Sequence, residues 1–353
     1  MEQKFYEFNQ TIESVKSIFA FYESFETSLS SSKFRSKSML AIKDSYLNIK
    51  NEQKVLIYKG IIISVYGAWE SFIRSIVMQY ANMNFLFQKD YSKFPLKFQI
   101  AYIDKYIEYF YRQSNEWKMS NKCHETIKEL HKGVIKSRCS INEDIYFKNY
   151  SNYRIDTVSD ICATIGIRDI KHKIIGIKEF TDFIINNEQN FNAIQDDDLK
   201  LRVAFRTLEE LVERRNSIAH GKGDIQLLNN ELLIELIEYI LLLAKSIYDI
   251  FISESIVQNE DSYQKLIFVE MLGSTTGIFT LPCDIKIGDR VTIVKGDSSS
   301  EHRVISGIFN ASEMSVSEAL ALETVSIKFD KKIKSAWKFL CTQPINTELE
   351  STS

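Results

Sequence analysis

The chain has 353 residues, of which only 12 are glycine and 3 are proline. So few chain-breaking residues exclude a collagen-like repeat, argue against an all-β sandwich or a disordered protein, and favour long helices. The formal net charge of −3 excludes a bulk electrostatic attraction to nucleic acid, so any basic surface must be local. The length favours two domains.

The cysteines and the N-terminus bear on location. The cysteines are widely spaced and no C-x-x-C occurs, which is typical of a reduced, cytoplasmic protein. They are Cys123, Cys139, Cys162, Cys283 and Cys341. The opening residues MEQKFYEFNQ lack a basic region followed by an apolar run, so no signal peptide is expected. The most apolar stretch, 232–252, carries charges at helical intervals and is predicted to be a buried amphipathic helix, not a membrane span.

Hydrophobic periodicity predicts helices through the first part of the chain. A helix with a broad aromatic face is expected over 1–28, and a central helix, nearly all apolar around 61–68, is expected over 52–84. A third helix follows Pro95 and ends near Gln113, because proline suits the start of a helix. Residues 117–137 fit a fourth, more polar helix.

The region 85–140 is locally basic, with eleven Lys and Arg against six Asp and Glu. Aromatic residues interleave with these charges: Tyr102, Tyr106, Tyr109, Tyr111 and Trp117. Such a pattern fits either a solvated helical face or an electrostatic surface for RNA phosphates with rings available for stacking. The candidate substrate-binding residues of the second interpretation are Lys118, Lys122, Lys128 and Lys132.

Three more helices are predicted after this region. Asp156 is expected to cap a short helix that stops at Gly166. A longer helix begins at 196–198, where three acids complement the helix dipole, and ends at Gly221. The helix over 229–256 closes the helical half.

From Lys265 onward the pattern changes to short β-branched runs separated by Gly, Pro, Asp and Ser, which predicts a small β-barrel. The chain is therefore predicted to be mainly α. It is expected to comprise a helical domain over 1–257, a barrel over 263–342 and a tail over 343–353.

The sharpest chemical signal is the stretch Glu213–Gly221, ERRNSIAHG. Arg215 is always cationic, and His220 can exchange a proton near neutral pH. Asn216 offers both a donor and an acceptor. These groups can hold a phosphodiester and move the proton of a ribose 2′-hydroxyl.

Helix geometry complicates this interpretation. Residues five apart on an ideal helix differ by about 140° in azimuth and ~7.5 Å along the axis, so one helix presents Arg215 and His220 poorly to one atom. A helix end at Gly221 or a second protomer could bring them together. The structural alternative is an ion pair of Arg215 with Glu209 or Glu210, with the histidine favoured by the helix C-terminus.

Three segments in order carry a resemblance to a known family. They are YGAWESF at 66–72, ICATIGI at 161–167 and LEELVERRNSIAHG at 208–221. Together with R-N-x-x-x-H just before a glycine, they make residues 1–256 resemble the HEPN ribonuclease superfamily, in particular its RiboL-PSP-HEPN-like group.

That resemblance implies an all-α bundle and a metal-independent endoribonuclease that needs no cofactor. It implies a homodimer with two motifs at its seam, in which Arg215 matches the motif arginine, Asn216 the following polar residue and His220 the motif histidine. Glu70 falls where related proteins often keep an acid facing the motif. Arg214, about 100° from Arg215 on the helix, is expected to be supporting and to matter less.

The resemblance also implies a role as a toxin or anti-phage effector, with RNA such as tRNA or mRNA as substrate, 2′,3′-cyclic phosphate ends as products and a regulatory partner protein. The alternative is a non-catalytic RNA- or protein-binding HEPN module that regulates a partner. In that case the same cations only bind phosphate. Product-end chemistry separates the two hypotheses.

The C-terminal part resembles the β-barrel second domain of elongation factor Tu-type GTPases. The similarity rests on a Gly-Asp turn at Gly288 and on Ser317-Glu318-Ala319, although the glycine expected near Leu322 is absent. No G-x-x-x-x-G-K-[ST] motif occurs, so the barrel is expected to be a docking module.

Other candidate sites are weaker. Cys123, His124, His131 and Cys139 match no zinc-module spacing, so no metal site is expected. His172 and His302 are isolated and are expected on the surface.

Overall fold

A computed structural model of the chain describes residues 1–31, 37–87, 91–135, 142–148, 150–188, 190–221, 226–260, 263–295 and 300–344. The predicted fold class is confirmed, since the protein is mostly helical and ends in a closed β-barrel. Cys139 and the tail beyond residue 344 lie outside the described residues.

The chain folds into two compact units. The first comprises Met1–Asn82 and Asp90–Tyr248, and the second comprises Met83–Lys89 and Asp249–Ser353. The sequence placed the division after residue 257, whereas the units divide inside the last helix.

The described helices are α1 Glu2–Ser31, α2 Lys37–Phe87, α3 Leu96–Tyr111, α4 Asn115–Lys118, α5 Asn121–Ile135, α6 Glu143–Tyr146, α7 Ile155–Thr164, α8 Ile170–Ile175, α9 Lys178–Asn187, α10 Asp197–Ala219 and α11 Asn230–Gln258. Short 3-10 turns cover Tyr91–Lys93 and Phe191–Ala193.

Several helices differ from the prediction: α2 begins at Lys37 and not at residue 52, and α8 and α9 were not predicted. The helix predicted over 117–137 is two helices. Ser114 caps the first, α4, by accepting a hydrogen bond from the Trp117 N–H (3.2 Å), and α5 starts anew at Asn121. Asp156 lies in the first turn of α7, and Arg154 takes the N-cap position in extended backbone. Helix α10 begins where predicted, and Asp196 is its N-cap, since its carboxylate accepts from the Leu199 N–H at 2.8 Å.

Helix α2 runs through the first unit's core. Its fully buried side chains recur at helical intervals: Ile62, Val65, Trp69, Ile73, Ile76, Val77 and Tyr80. By length and composition, the segment Leu40–Asn84 could cross a membrane, but half of its most apolar window is buried inside the protein. A core helix of a soluble protein has these same properties.

The strands are β1 Tyr263–Met271, β2 Thr276–Thr280, β3 Ile285–Lys286, β4 Arg290–Val294, β5 Ser300–Phe309, β6 Ser315–Val316, β7 Glu318–Ala319, β8 Thr324–Phe329 and β9 Lys338–Pro344. They pair antiparallel in the order β4-β9-β1-β2-β8-β5, and β5 pairs again with β4, which closes a six-stranded barrel. The inward-facing side chains of alternate residues, such as Phe279, Ile293 and Ile327, fill its interior.

The turns of the barrel contain two left-handed residues relevant to the sequence comparison. Gly288 has φ +95°, as a Gly-Asp turn requires. Leu322 also adopts a left-handed backbone, with φ +71°, although its side chain is 85% exposed. The turn that calls for a glycine is therefore present, and a leucine occupies it.

His302 lies within the second unit and not on an open surface as the sequence suggested. Its Nδ1 is 3.0 Å from Thr292 Oγ1, and its Nε2 is 3.0 Å from Ser253 Oγ and 3.2 Å from the Asp249 carbonyl oxygen. Burial lowers the pKa of His302 below its ordinary value. His172, on α8, is exposed as expected.

Candidate functional site

The C-terminal end of α10 carries the R-N-x-x-x-H motif. His220 is the C-cap residue, and its backbone N–H donates to the Asn216 carbonyl at 3.0 Å. Gly221 follows with φ +65°, the left-handed conformation that ends many helices. The His220 side chain is exposed at this helix end.

Arg215 is oriented by an aromatic ring. Its guanidinium carbon lies 4.7 Å from the centre of the Tyr66 ring of α2, within cation–π range. One guanidinium nitrogen also donates to the Asn216 amide oxygen at 2.9 Å. The motif arginine and asparagine are thus joined directly, and the Asn216 amide NH₂ remains a separate donor group.

The carboxylates near Arg215 pair with other arginines. Glu209 forms an ion pair with Arg154, and Glu210 accepts two hydrogen bonds from Arg214 at 2.6 and 2.8 Å. The alternative in which Arg215 pairs with Glu209 or Glu210 is therefore not what the structure contains. Within the described part of the chain, these pairings leave the Arg215 charge against a ring and an amide.

Arg214 links elements of the first unit. Besides Glu210, its guanidinium donates to the Tyr58 hydroxyl of α2 at 2.7 Å and to the Gln226 carbonyl at 2.6 Å. Its side chain is only 17% exposed. Arg214 therefore anchors α10 to α2 and to the segment before α11, a larger structural role than the sequence suggested.

Helix α2 holds the Tyr66 ring in place through a second contact. The Tyr66 hydroxyl accepts a hydrogen bond from the Tyr153 N–H at 3.1 Å, and Trp69 Nε1 donates to the Tyr153 carbonyl at 2.8 Å. Both Tyr66 and Trp69 are buried. Burial raises the pKa of the Tyr66 hydroxyl, so it stays neutral.

Glu70 lies one turn beyond Tyr66 on the same helix. Its charge and that of Arg215 both act on the Tyr66 hydroxyl, so the acid and the motif arginine lie around one ring. Glu70 is also 4.0 Å from Arg74, which donates to Glu143 at 3.0 Å. The carboxylate is about 30% exposed and remains accessible to a ligand.

Tyr66 and Arg154 are site residues that sequence reasoning missed. Tyr66 belongs to the YGAWESF segment, on which part of the family resemblance rests, but no sequence pattern assigns this tyrosine a role in the site. Nothing in the local pattern marks Arg154 as the partner of Glu209, because the pair joins the start of α7 to α10.

The four candidate lysines lie elsewhere. Their side chains are exposed on α4 and α5: Lys118, Lys122, Lys128 and Lys132. Helix α5 packs against α3 and α4, whereas α10 packs against α7 and α8. The structure therefore does not place these lysines on the helices that carry Arg215 and Tyr66.

The aromatic residues of the basic region divide into two groups. Tyr102 and Tyr106 are 1% and 2% exposed, so they belong to the core and cannot stack on RNA bases. Tyr109 and Trp117 contact each other edge to face at 5.4 Å. Tyr111 is 84% exposed.

Metal-ligating side chains do not converge within the described ranges, where no group of three or more His, Cys, Asp or Glu could hold an ion. Of the weak cysteine–histidine set, Cys123 is buried, and His124 and His131 are exposed on α5.

Comparisons with known proteins address the identity of the helical part. The family model described as RiboL-PSP-HEPN matches residues 30–253. No curated protein matches this sequence. Two crystal structures are partly similar, both of the C-terminal domain of a Geobacillus thermoleovorans protein assigned to the U32 peptidases, one of them a selenomethionine variant.

Each of those structures shares 14% identity with this chain at a TM-score of 0.20. They cover 24% and 22% of this chain, and 94% and 96% of their own. Similarity this low assigns nothing to the protein. The family match, in contrast, extends over most of the chain and contains Tyr66, Arg215 and His220. The chain belongs to the RiboL-PSP-HEPN family, a HEPN family associated with ribonuclease or other RNA-related function.

Proposed function

We propose that the protein is an endoribonuclease that cleaves RNA at Arg215, Asn216 and His220. One observation carries the proposal: the Arg215 guanidinium is held over the Tyr66 ring and beside the Asn216 amide, while the nearby carboxylates pair with other arginines. A cation in this setting keeps its donors available for an anionic ligand.

The three side chains have complementary roles in the proposed reaction. Arg215 and the Asn216 NH₂ group donate to the non-bridging oxygens of a phosphodiester and stabilise the charge that develops there. His220 accepts the proton of the ribose 2′-hydroxyl, and an imidazolium returns a proton to the leaving 5′-oxygen. The 2′-oxygen attacks phosphorus, so the products end in a 2′,3′-cyclic phosphate and a 5′-hydroxyl. The nucleophile belongs to the RNA, and no cofactor is required.

The proposed active form is a homodimer. Arg215 and His220 diverge on α10, so a second copy would supply the complementary group at each site. The α2 face near Tyr66 suits a close approach, because Gly60 and Gly67 are exposed and a Cβ at either would meet nothing within 4 Å. The seam would include the end of α10 and this α2 face.

The cellular role that fits such an enzyme is that of a cytoplasmic toxin or anti-phage effector, restrained by a regulatory partner protein. Its substrate would be tRNA or mRNA. The exposed lysines of α4 and α5 would add non-specific attraction to the RNA backbone.

The direct test is cleavage of tRNA and single-stranded RNA by the purified protein in the presence of a metal chelator, with the product ends identified. We expect 2′,3′-cyclic phosphate ends, and a rate about 10²–10⁴ lower for His220→Ala and for Arg215→Ala. His172→Ala is the matched control, because this histidine is also exposed on a helix of the same unit.

Three outcomes would contradict the proposal. One is His220→Ala protein that cuts RNA at the wild-type rate. Another is wild-type protein that binds RNA without producing new ends, which would favour the non-catalytic binding module. The third, a monomer at micromolar concentration by light scattering, would contradict the shared seam.

A further inference from the structure

Helix α3 is apolar on two sides. Its inner face packs into the core through Phe98, Tyr102 and Tyr106. Its outer face is also apolar but lies open to solvent: Leu96 is 69% exposed, Ile100 52%, Ile107 57% and Tyr111 84%. A surface helix normally presents polar residues on that side, so the outer face of α3 has the composition of a contact surface.

The spacing on this outer face is that of a helix-pairing seam. Leu96, Ile100, Ile103 and Ile107 follow one another at steps of four, three and four residues. Alternating steps of four and three are the a and d positions of a heptad, and leucine and isoleucine are the residues that fill them in coiled coils. Ile103 is half-buried and continues the row between its exposed neighbours.

The charges beside the seam favour one particular occupant. Lys97 and Asp104 are exposed and each directly follows a d position, so both are e positions. When two copies of α3 pair antiparallel, Ile100 meets the partner's Ile103 and Leu96 meets the partner's Ile107. In that register Lys97 comes opposite the partner's Asp104, and two-fold symmetry forms the same charge pair twice.

We propose that the outer face of α3 binds the same face of a second copy of this chain, antiparallel, through Leu96, Ile100, Ile103 and Ile107. A parallel pair would place each e position opposite a g position, and the g positions are Gln99 and the buried Tyr106, so the charges would find no opposite partner. The contact is independent of the ribonuclease proposal and uses a different helix from the α10 seam.

A protein with both contacts forms assemblies larger than a dimer. Each contact is isologous, so one pairs protomers across α10 and the other joins such pairs across α3. Loss of the α3 contact then reduces the assembly to the dimer paired across α10 and leaves the catalytic seam in place.

The test is the molar mass of the full-length protein by light scattering over a range of concentrations. The double variant Ile100→Glu with Ile107→Glu is expected to reduce the mass of the largest species to that of a dimer and to keep the RNA cleavage rate. Ile267→Glu on β1 is the control, because it puts the same charge on an apolar side chain that is 61% exposed, and it should leave the mass unchanged.

Charge reversal tests the antiparallel register. Lys97→Glu alone or Asp104→Lys alone should weaken association, and the two together should restore it. A double reversal that associates no better than the singles overturns the register. Equal mass for the wild type and the Ile100→Glu, Ile107→Glu variant, both folded by melting curve, overturns the contact.

Failure of this inference is distinguishable from failure of the proposed function. Gly67→Trp is designed to block the α10 seam, and in that variant association through α3 should persist while cleavage is lost. If Gly67→Trp instead abolishes all association, the α3 contact is overturned.

Discussion

The guanidinium of Arg215 lies 4.7 Å from the centre of the Tyr66 ring, and the hydroxyl of the same tyrosine accepts a hydrogen bond from the Tyr153 N–H at 3.1 Å. One side chain of α2 therefore orients the motif cation through its face and fixes the backbone ahead of α7 through its oxygen. The two contacts can be separated by substitution.

Tyr66→Phe keeps the ring and removes the oxygen. We expect RNA cleavage to be retained, and the free energy of unfolding to fall by about 1–3 kcal/mol because the buried Tyr153 N–H loses its acceptor. Tyr66→Leu also removes the ring, so cleavage should fall by about 2- to 30-fold, the equivalent of a lost cation–π contact. Cleavage rates and urea unfolding measure the two effects. Equal cleavage by the two variants would mean that the ring does not orient Arg215.

Arg214 and Arg215 are adjacent in sequence and should respond oppositely to alanine. Arg214→Ala removes the ion-pair partner of Glu210, whose carboxylate is 42% exposed, and one hydrogen bond of the buried Tyr58 hydroxyl, so stability should fall by about 1–3 kcal/mol. Arg215→Ala loses only a ring contact and one hydrogen bond to the Asn216 amide oxygen, so stability should change by about 1 kcal/mol or less while cleavage falls by about 10²–10⁴. Melting temperature against cleavage rate separates the two residues. The reverse pattern would exchange their assigned roles.

The different roles of Arg214 and Arg215 could not be predicted from the sequence. Helical periodicity correctly places Arg214 and Arg215 about 100° apart. The periodicity does not show which of the two arginines faces α2, because α10 carries charges on several sides. Helix α2 is also more than a hundred residues away in sequence, so no local pattern links the two helices. The tyrosines that decide the matter, Tyr58 and Tyr66, look like ordinary core residues of an apolar helix.

His302 should make the stability of the protein depend on pH. Its pKa in the folded protein is lowered by burial, assisted by Arg290 and opposed by Asp249, whereas in the unfolded chain it returns to about 6.5. The unfolded state therefore binds the proton more readily, so this contribution to stability is complete above about pH 6.5 and is lost as the pH falls below it.

The measurement is the melting temperature from about pH 8 to pH 5 for the wild type and for His302→Gln. The wild type should lose more stability on acidification than the variant, whose side chain does not titrate. Identical slopes for the wild type and His302→Gln would contradict the assignment.

Leu322→Gly should stabilise the barrel. A leucine at φ +71° carries the steric cost of a left-handed backbone, and its side chain is 85% exposed, so little packing is lost. We expect a gain of about 0.5–1 kcal/mol after the added freedom of glycine in the unfolded chain is subtracted. Thermal unfolding measures it. Leu320→Gly, two residues away, is the control and should destabilise.

The turn at Leu322 also shows that a residue type can be a poor guide to backbone conformation. The missing glycine near Leu322 counted against the barrel resemblance, yet the backbone there takes the conformation that glycine would favour. Backbone hydrogen bonds explain this, because the Leu322 N–H donates to the Leu281 carbonyl at 2.8 Å and holds the turn. Where hydrogen bonds to neighbouring segments fix the backbone, the residue type at one position predicts its conformation poorly. The pattern of short β-branched runs, in contrast, predicted the barrel correctly.

The chain passes from the first unit to the second within α11 and not in a loop, which limits where it can be cut to isolate the barrel. The last turns of α11, from Asp249, belong to the barrel's unit, and Ile256 packs there with Tyr263, Val294 and Leu340. A fragment cut at the apparent linker, starting at residue 263, would carry an exposed apolar surface where Ile256 had been. Recombination that moves the barrel between proteins must therefore carry the end of a helix with it.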